Sequence, residues 1–314
     1  MKKFLSFIIA ISMLATLSTT TMALDTLSDS QYDYSRIVVS CDAATGVVTY
    51  HSMSESIDNY RAQNNIDPST PLTAPPSIPS VASEDNYYIQ DPTENDDDIT
   101  SKGITDDRKK VTSTTAFPYC AIAYITYSLD GYSCAGTGFM IDNQCLLTAA
   151  HNLYSRTTGN WATNIKVYPG RNGTAGTVYT YKTTWVSGNY TSSSNPDYSD
   201  DWGMIELSKA ASVGYFGLKD GAKAKSSYIL TGYPGEKGSS PTSVTMWTET
   251  KTVSTVASWS FYSAHWATSG QSGSPVYTSD YYAVGVAASM MPGLWTTSTR
   301  LVQSTVTWLA ANKY

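Results

Sequence analysis

Beyond about Thr105 the chain alternates short apolar runs with clusters of Gly, Asn, Asp and Ser. Val, Ile, Thr, Tyr and Trp dominate Ala121 to Tyr127, Thr137 to Ile141, Cys145 to Ala149, Ile165 to Tyr168 and Thr177 to Thr183. The pattern returns at Tyr228 to Gly232, Val244 to Val253, Ser274 to Tyr277 and Tyr282 to Ala287. Such residues suit a pleated, half-buried surface and predict strands. Turn signals separate them at Leu129-Asp130-Gly131, Asp142-Asn143, Arg171-Asn172-Gly173 and Tyr233-Pro234-Gly235. Many short strands with close turns predict an all-β barrel or sandwich rather than a βαβ fold. One helix is predicted, from Thr299 to about Asn312, where Val302, Val306 and Leu309 share a face at i, i+4, i+7 and would pack back on a barrel. The segment from Gly103 to Tyr314, about 210 residues, is long enough for two small barrel cores.

The first third reads differently. Met1 to about Ala23 begins with Lys2-Lys3, continues with an apolar run from Phe4 to Leu17, and ends in small and polar residues. That run is shorter than the roughly 20 apolar residues needed to span a bilayer, so residues 1–23 read as a secretory signal. A secreted, extracellular protein with no membrane association after signal removal is expected. Residues 24–102 crowd Pro71, Pro75, Pro76 and Pro79 and carry the acidic run Glu94-Asn95-Asp96-Asp97-Asp98.

Charge divides the chain at the same place. Leu24 to Lys102 holds 14 Asp and Glu against 3 Lys and Arg, a charge of −11. Gly103 to Tyr314 holds 12 against 15, a charge of +3, and Lys2 with Lys3 completes the net −6. A segment rich in Pro and Asp and poor in aromatics buries too little to order itself fully. Residues 24–102 therefore read as a partly disordered, removable propeptide. Its negative charge would dock on the mildly basic domain at 103–314 and inhibit it intramolecularly until cleavage near Ile99 to Lys102.

Four cysteines set few constraints. Cys41 lies in the leader; among Cys120, Cys134 and Cys145 an oxidising compartment permits one bridge, either Cys134 with Cys145 or Cys120 with one of them. With no Cys/His cluster at ligand spacing and only three histidines, neither a metal nor a cofactor is expected. No phosphate-cradling glycine loop and no strong basic cluster speak for nucleic-acid binding. A monomer acting on polypeptide is the expectation.

The candidate chemistry lies in three short stretches: Leu147-Thr148-Ala149-Ala150-His151, Asp201-Trp202-Gly203-Met204-Ile205 and Gly270-Gln271-Ser272-Gly273-Ser274-Pro275-Val276. A serine hydroxyl is a weak nucleophile and needs an adjacent base, which makes His151 the partner for Ser272. Gly270 and Gly273 permit a tight turn that exposes the hydroxyl and turns main-chain N–H groups outward. The N–H groups of Gly270 and Ser272 are the candidate oxyanion donors. Asp201 would hold the imidazole tautomer; Asp197 and Asp200 are rivals, and Asp201 is preferred because it opens a strand. The chain order His, Asp, Ser is that of one architecture among three that share this chemistry. His265 lies seven residues before Ser272, too near to be its base but able to line a pocket.

At these residues the chain resembles the bacterial glutamyl endopeptidases, the V8-like branch of the chymotrypsin-type serine peptidases. The likeness runs from about Gly103 to the C-terminus. It is carried by Thr105-Asp106-Asp107-Arg108, Thr114 to Tyr119, Gly138-Phe139-Met140-Ile141, Thr148 to His151, Pro169 to Gly173, Asp201 to Leu207, Gly232 to Gly235 and Gly270 to Val276. The resemblance implies two six-stranded antiparallel β-barrels with a C-terminal helix and a His151, Asp201, Ser272 triad. It also implies a secreted endopeptidase, made as a zymogen, that cleaves after Glu or Asp. The family reads the substrate carboxylate partly with a histidine on the strand after the nucleophile, where Ala287 stands here. A family threonine five residues before the nucleophile is Ala267, beside Thr268. Two pockets follow: His265 replaces the missing imidazole, or Trp266, Ala267 and Ala287 form an apolar pocket with a changed preference. Asn152 replaces the family's cysteine after the histidine, and Cys145 is the candidate to take over its bridge.

Overall fold

The computed structural model describes residues 37–79, 104–192, 200–238, 242–291 and 293–313. The signal read over 1–23 and the cleavage region near Ile99 to Lys102 lie outside them. In the leader, β1 (Ile37–Asp42) and β2 (Val48–Ser52) form a hairpin followed by α1 (Met53–Asn64). Asp42 Oδ1 accepts the N–H groups of Ala44 and Thr45 at 3.1 and 2.8 Å, and Gly46 takes a positive φ of 69° to close the turn. Ser52 caps α1 by accepting from Glu55 N at 3.3 Å. The two-residue strand β3 (Lys109–Lys110) then leads into the first barrel.

That barrel comprises β4 (Ile122–Leu129), β5 (Tyr132–Met140), β6 (Cys145–Thr148), β7 (Thr163–Pro169), β8 (Tyr179–Ser187) and β9 (Gly203–Leu207), with the short helix α2 (Gly188–Ser192) after β8. It closes antiparallel in the order β4-β5-β6-β9-β8-β7. Asp130 and Gly131, both at positive φ, make the two-residue turn between β4 and β5, as the Asp-Gly pair predicts.

The second barrel comprises β11 (Ser227–Gly232), β12 (Trp247–Val256), β13 (Ser260–Ser263), β14 (Pro275–Tyr277), β15 (Tyr282–Met291) and β16 (Trp295–Arg300). It closes in the order β15-β14-β11-β12-β13-β16. The short β10 (Gly217–Leu218) lies parallel on β15, and β3 pairs with β12. Two closed six-stranded barrels are thus the architecture that the alternation and the resemblance pointed to.

Two differences from expectation have a common cause. β13 and β16 are mostly Ser, Thr and aromatic residues, and Ser260, Ser263 and Thr296 to Thr299 are buried within the barrel beside Phe261. A strand whose inward residues are hydroxylic carries no apolar alternation. Because β16 extends through Arg300, α3 begins at Gln303 (Gln303–Asn312) rather than at Thr299. Thr305 and Trp308 are buried along with Val306 and Leu309.

The described part of the leader is ordered, contrary to what its averaged composition suggests. β1 adds to the first barrel beside β8, pairing Val38 to Asp42 with Ser187 to Thr183 and burying Val38 and Val39. A strap follows, in which Ala74 pairs with Leu218 and Ser77 with Tyr215. The backbones run so close that a Cβ on Gly214 or Gly217 would stand 2.6 or 2.7 Å from Pro79 or Pro76. Main-chain pairing and apolar burial hold this part of the leader, while the acidic run from Glu94 lies outside the described residues. His51 of β2 stacks on Trp185 at 4.7 Å, and Trp185 and Trp202 each meet Trp308 of α3 at 5.8 Å. These rings back the chain next to Asp201.

Candidate active site

β6 delivers its last residues to the rim of the first barrel, where a single 3-10 turn (Ala150–Asn152) carries His151. Asp201 precedes β9, which pairs with β6 over Cys145 to Thr148. The pairing brings the two residues together across 50 positions of chain. Asp201 is 1% exposed; its Oδ1 accepts His151 N at 2.9 Å and its Oδ2 lies 2.6 Å from His151 Nδ1. The carboxylate thus grips both main chain and ring, which fixes the imidazole's orientation and leaves Nε2 for other work. Of the rivals, Asp200 is turned away, accepting from Asn189 Nδ2 at 2.8 Å and Ser187 Oγ at 3.3 Å. Asp197 lies outside the described residues. Burial pulls the His151 imidazole down, but the Asp201 charge and hydrogen bond outweigh it, and its pKa lies above the ordinary 6.5.

Ser272 sits in the loop before β14, where the barrels meet. Thr137 of β5 donates its N–H to Ser272 O at 2.9 Å and its hydroxyl to Gly270 O at 2.7 Å, and itself accepts Tyr233 N at 3.0 Å. Gly273 has φ 90°, and a Cβ there would stand 2.0 Å from Thr137 O; one on Gly270, at φ 94°, would meet Tyr233 O at 2.5 Å. Only glycine fits either position. Around the nucleophile position, Gln271, Gly273 and Ser274 donate their N–H groups to Thr268 O, Ala287 O and Gln271 O. Those of Gly270 and Ser272 donate to no acceptor among the described residues.

A cleft of about 400 Å³ adjoins this loop, lined by Ala267, Thr268, Ala287, Ala288, Ser289 and Met290 together with Ser272. Thr268 and Ala287 both line it. His265 does not. It is fully buried in the second barrel, with Nδ1 2.8 Å from Ser263 Oγ and Nε2 2.9 Å from Tyr228 O. Burial pushes its pKa down to about 4, so it is a neutral core residue and supplies no cation to the cleft. Trp266 is absent from the cleft lining too. The cysteine expectations also fail: none of Cys41, Cys120, Cys134 and Cys145 is in a disulfide, and Cys145 is buried in β6.

Asn152 does the bridging instead. It is buried, accepts Tyr127 OH at 2.7 Å, and donates to Thr148 Oγ1 at 2.9 Å and to Ser272 O at 3.0 Å. It thereby links the histidine turn of one barrel to the serine loop of the other. A Cβ on Gly136 would lie 2.7 Å from its amide, so the glycine makes room for it. Three further residues escaped sequence reading. Thr137 looked like one more strand threonine. Glu249, buried in β12, accepts Trp266 N, and burial raises its pKa to about 8. Arg108 reaches the serine loop from the segment before β3. The buried carboxylate had no sequence signal, since Glu249 stands in a Thr-rich run. Among the described residues no three His, Cys, Asp or Glu side chains cluster as metal ligands would, and no helix is long and apolar enough to cross a membrane.

The family model described as Trypsin matches residues 108–298. A glutamyl endopeptidase of Bacillus licheniformis is 37% identical over 184 residues, 55% of this chain and 53% of that protein. An extracellular metalloprotease of Bacillus subtilis is 34% identical over 185 residues, 55% of this chain and 56% of that protein. The chain spans about half the length of the curated relatives it matches. Among solved structures, a Glu endopeptidase in complex with MPD superposes with a TM-score of 0.60 at 26% identity, over 65% of this chain and 95% of that one.

The Asp201 grip makes a prediction for His151. Titrated by NMR, its ring should show a pKa above 6.5, and Asp201→Asn should drop it below 6.5, because burial and the Arg156 charge then act unopposed. Since the folded value lies above the unfolded one, the pair stabilises the fold fully below about pH 6.5 and loses that contribution as pH rises through the folded value. An unchanged titration in the variant would remove Asp201 as the cause.

Proposed function

Because the chain belongs to the trypsin family, in the V8-like branch of the chymotrypsin-type serine peptidases, we propose that it is a secreted serine endopeptidase made with an inhibitory leader. The observation that carries the activity is the double grip of Asp201 on His151, at 2.9 and 2.6 Å, in a chain whose Ser272 lines a 400 Å³ cleft. Asp201 holds Nδ1–H, so His151 Nε2 takes the proton from Ser272 Oγ as the hydroxyl attacks a peptide carbonyl. The unspent N–H groups of Gly270 and Ser272 receive the oxyanion, each worth about 3 kcal/mol in the transition state. His151 then gives its proton to the leaving amine, and water resolves the acyl-enzyme by the same route.

The residue before the scissile bond occupies the cleft of Ala267, Ala287, Ala288 and Met290. All its walls are uncharged. Thr268, the one hydroxyl that the sequence offered a substrate carboxylate, is committed to Glu236 Oε2 at 2.5 Å. A carboxylate placed there would lose its hydration without gaining a free cation, because Arg108 behind Thr268 is already engaged by Asp106, Glu236 and Gln271. The Bacillus licheniformis relative is named for glutamyl bonds; in this chain the preference is instead for uncharged, medium-sized side chains. The leader's hairpin, helix and strap anchor it to the first barrel and Tyr215 to Leu218, and it stays bound as an intramolecular inhibitor until the chain is cut near Ile99 to Lys102.

A fluorophosphonate probe should label the processed wild-type form beginning near Gly103 and fail on the same form carrying Ser272→Ala. Wild-type protein that folds yet takes no label would instead be a peptide-binding relative without turnover. Peptide-library profiling should enrich uncharged residues before the cleaved bond, and enrichment of Glu or Asp would refute the neutral pocket. Full-length chain should hydrolyse a peptide more slowly than the form beginning near Gly103; equal rates would end the inhibitor reading.

A further inference from the structure

Arg108 belongs to an irregular segment before β3, yet its side chain is only 1% exposed. Its guanidinium is fully engaged. Nε and Nη2 donate to the two oxygens of Asp106 at 2.8 and 2.9 Å, and Nη2 also donates to Glu236 Oε1. Nη1 donates to Gln271 Oε1 at 2.5 Å and to Thr268 Oγ1 at 3.2 Å. Gln271 is the residue between Gly270 and Ser272, and it is itself wholly buried. Its Oε1 also accepts Thr268 N at 3.1 Å, and its N–H donates to Thr268 O at 2.9 Å. Glu236 comes from the turn at Gly235–Lys237, whose first N–H donates to Ser269 O at 2.7 Å.

From this geometry we infer that Arg108 is a positioning residue that locks the Thr268–Gln271 turn and so sets the Gly270 and Ser272 amides. The inference rests on the endopeptidase reading above. A planar cation with five donors serves four acceptors at once; a lysine ammonium has three donors and no fork. Asp106 and Glu236 pair with the buried cation and offset its desolvation. Gln271 has one side chain and two oxyanion amides as neighbours, so a rotation of its main chain swings both. Such donors work only within a few tenths of an ångström of their place. The clasp exists in the uncut chain, since Arg108 and its partners are continuous with the leader. The turn is therefore held in place before any cleavage.

Full-length chain carrying Arg108→Met or Arg108→Lys, processed as wild type, tests the lock. Three quantities are measured: kcat and KM for a peptide substrate, affinity for a peptidyl boronate, and affinity for the matching unreactive peptide amide. The expected result for Arg108→Met is a fall of about 10- to 100-fold in both kcat and boronate affinity. KM and peptide-amide affinity should stay within about threefold, and Arg108→Lys should recover part of the loss. Where Arg108→Met fails to fold, Gln271→Met gives the same readout, because Arg108 keeps Asp106 and Glu236. Wild-type kcat and boronate affinity in a folded variant would overturn the inference. Equal losses of boronate and peptide-amide affinity would also overturn it, since they mark general loosening of the cleft. A wild-type chain that neither turns over nor labels at Ser272 would overturn the endopeptidase reading and this inference with it. An active wild type with unaffected variants removes this inference alone.

Discussion

Where the two barrels touch beside Ser272, main chain approaches main chain closely. Thr137 of β5 is the contact: its N–H, its carbonyl and its hydroxyl all engage the segments at 232–233, 270–273 and 148. A Cβ on Gly273 would fall 2.0 Å from Thr137 O, and one on Gly232 would fall 1.9 Å from Ser274 Oγ. Everything that the site needs depends on that closeness. The nucleophile loop belongs to the second barrel and the histidine and aspartate to the first, so any side chain wedged at the junction would separate them. Asn152 adds one more tie across the same gap, reaching Ser272 O from the residue next to His151.

The charged groups near the site form two separate sets. One is the Asp201–His151 pair, where a buried carboxylate raises an imidazole against the pull of burial. The other is the Asp106, Arg108, Glu236 and Lys237 cluster, in which Arg108 holds Asp106 well below the usual carboxylate range. The first orients the His151 imidazole and the second ties Asp106 and Glu236 to the Thr268–Gln271 turn. Neither puts a charge on the cleft wall, which explains how a site with several ionised neighbours keeps a neutral pocket.

The leader has a dual character. Its Pro-rich and acidic composition describes a chain with little to bury, yet Ile37 to Asp42 and Val48 to Ser52 form a hairpin that extends a barrel sheet. Composition averaged over 79 positions conceals a local alternation of about 15 residues. A strand at a sheet edge also needs only a partner of the right register, whatever its flanks. The neighbouring barrel supplies it.

Pattern along the chain was sufficient for the strands of both barrels where they are apolar, for the pairing of His151 with Asp201, and for the glycines around Ser272. Each of those signals is local: a period of two, a turn pair, a glycine beside a serine. It was insufficient for β13 and β16, whose buried faces are hydroxylic, and for the start of α3, which β16 displaces. The assembled barrels settled the remainder. They buried His265 instead of exposing it, left the four cysteines without a disulfide, gave Asn152 the bridging task, and brought Arg108 to Gln271 across 163 positions of chain. Such contacts are set by which surfaces two closed sheets present to each other, a property of packing geometry that no run of neighbouring residues records.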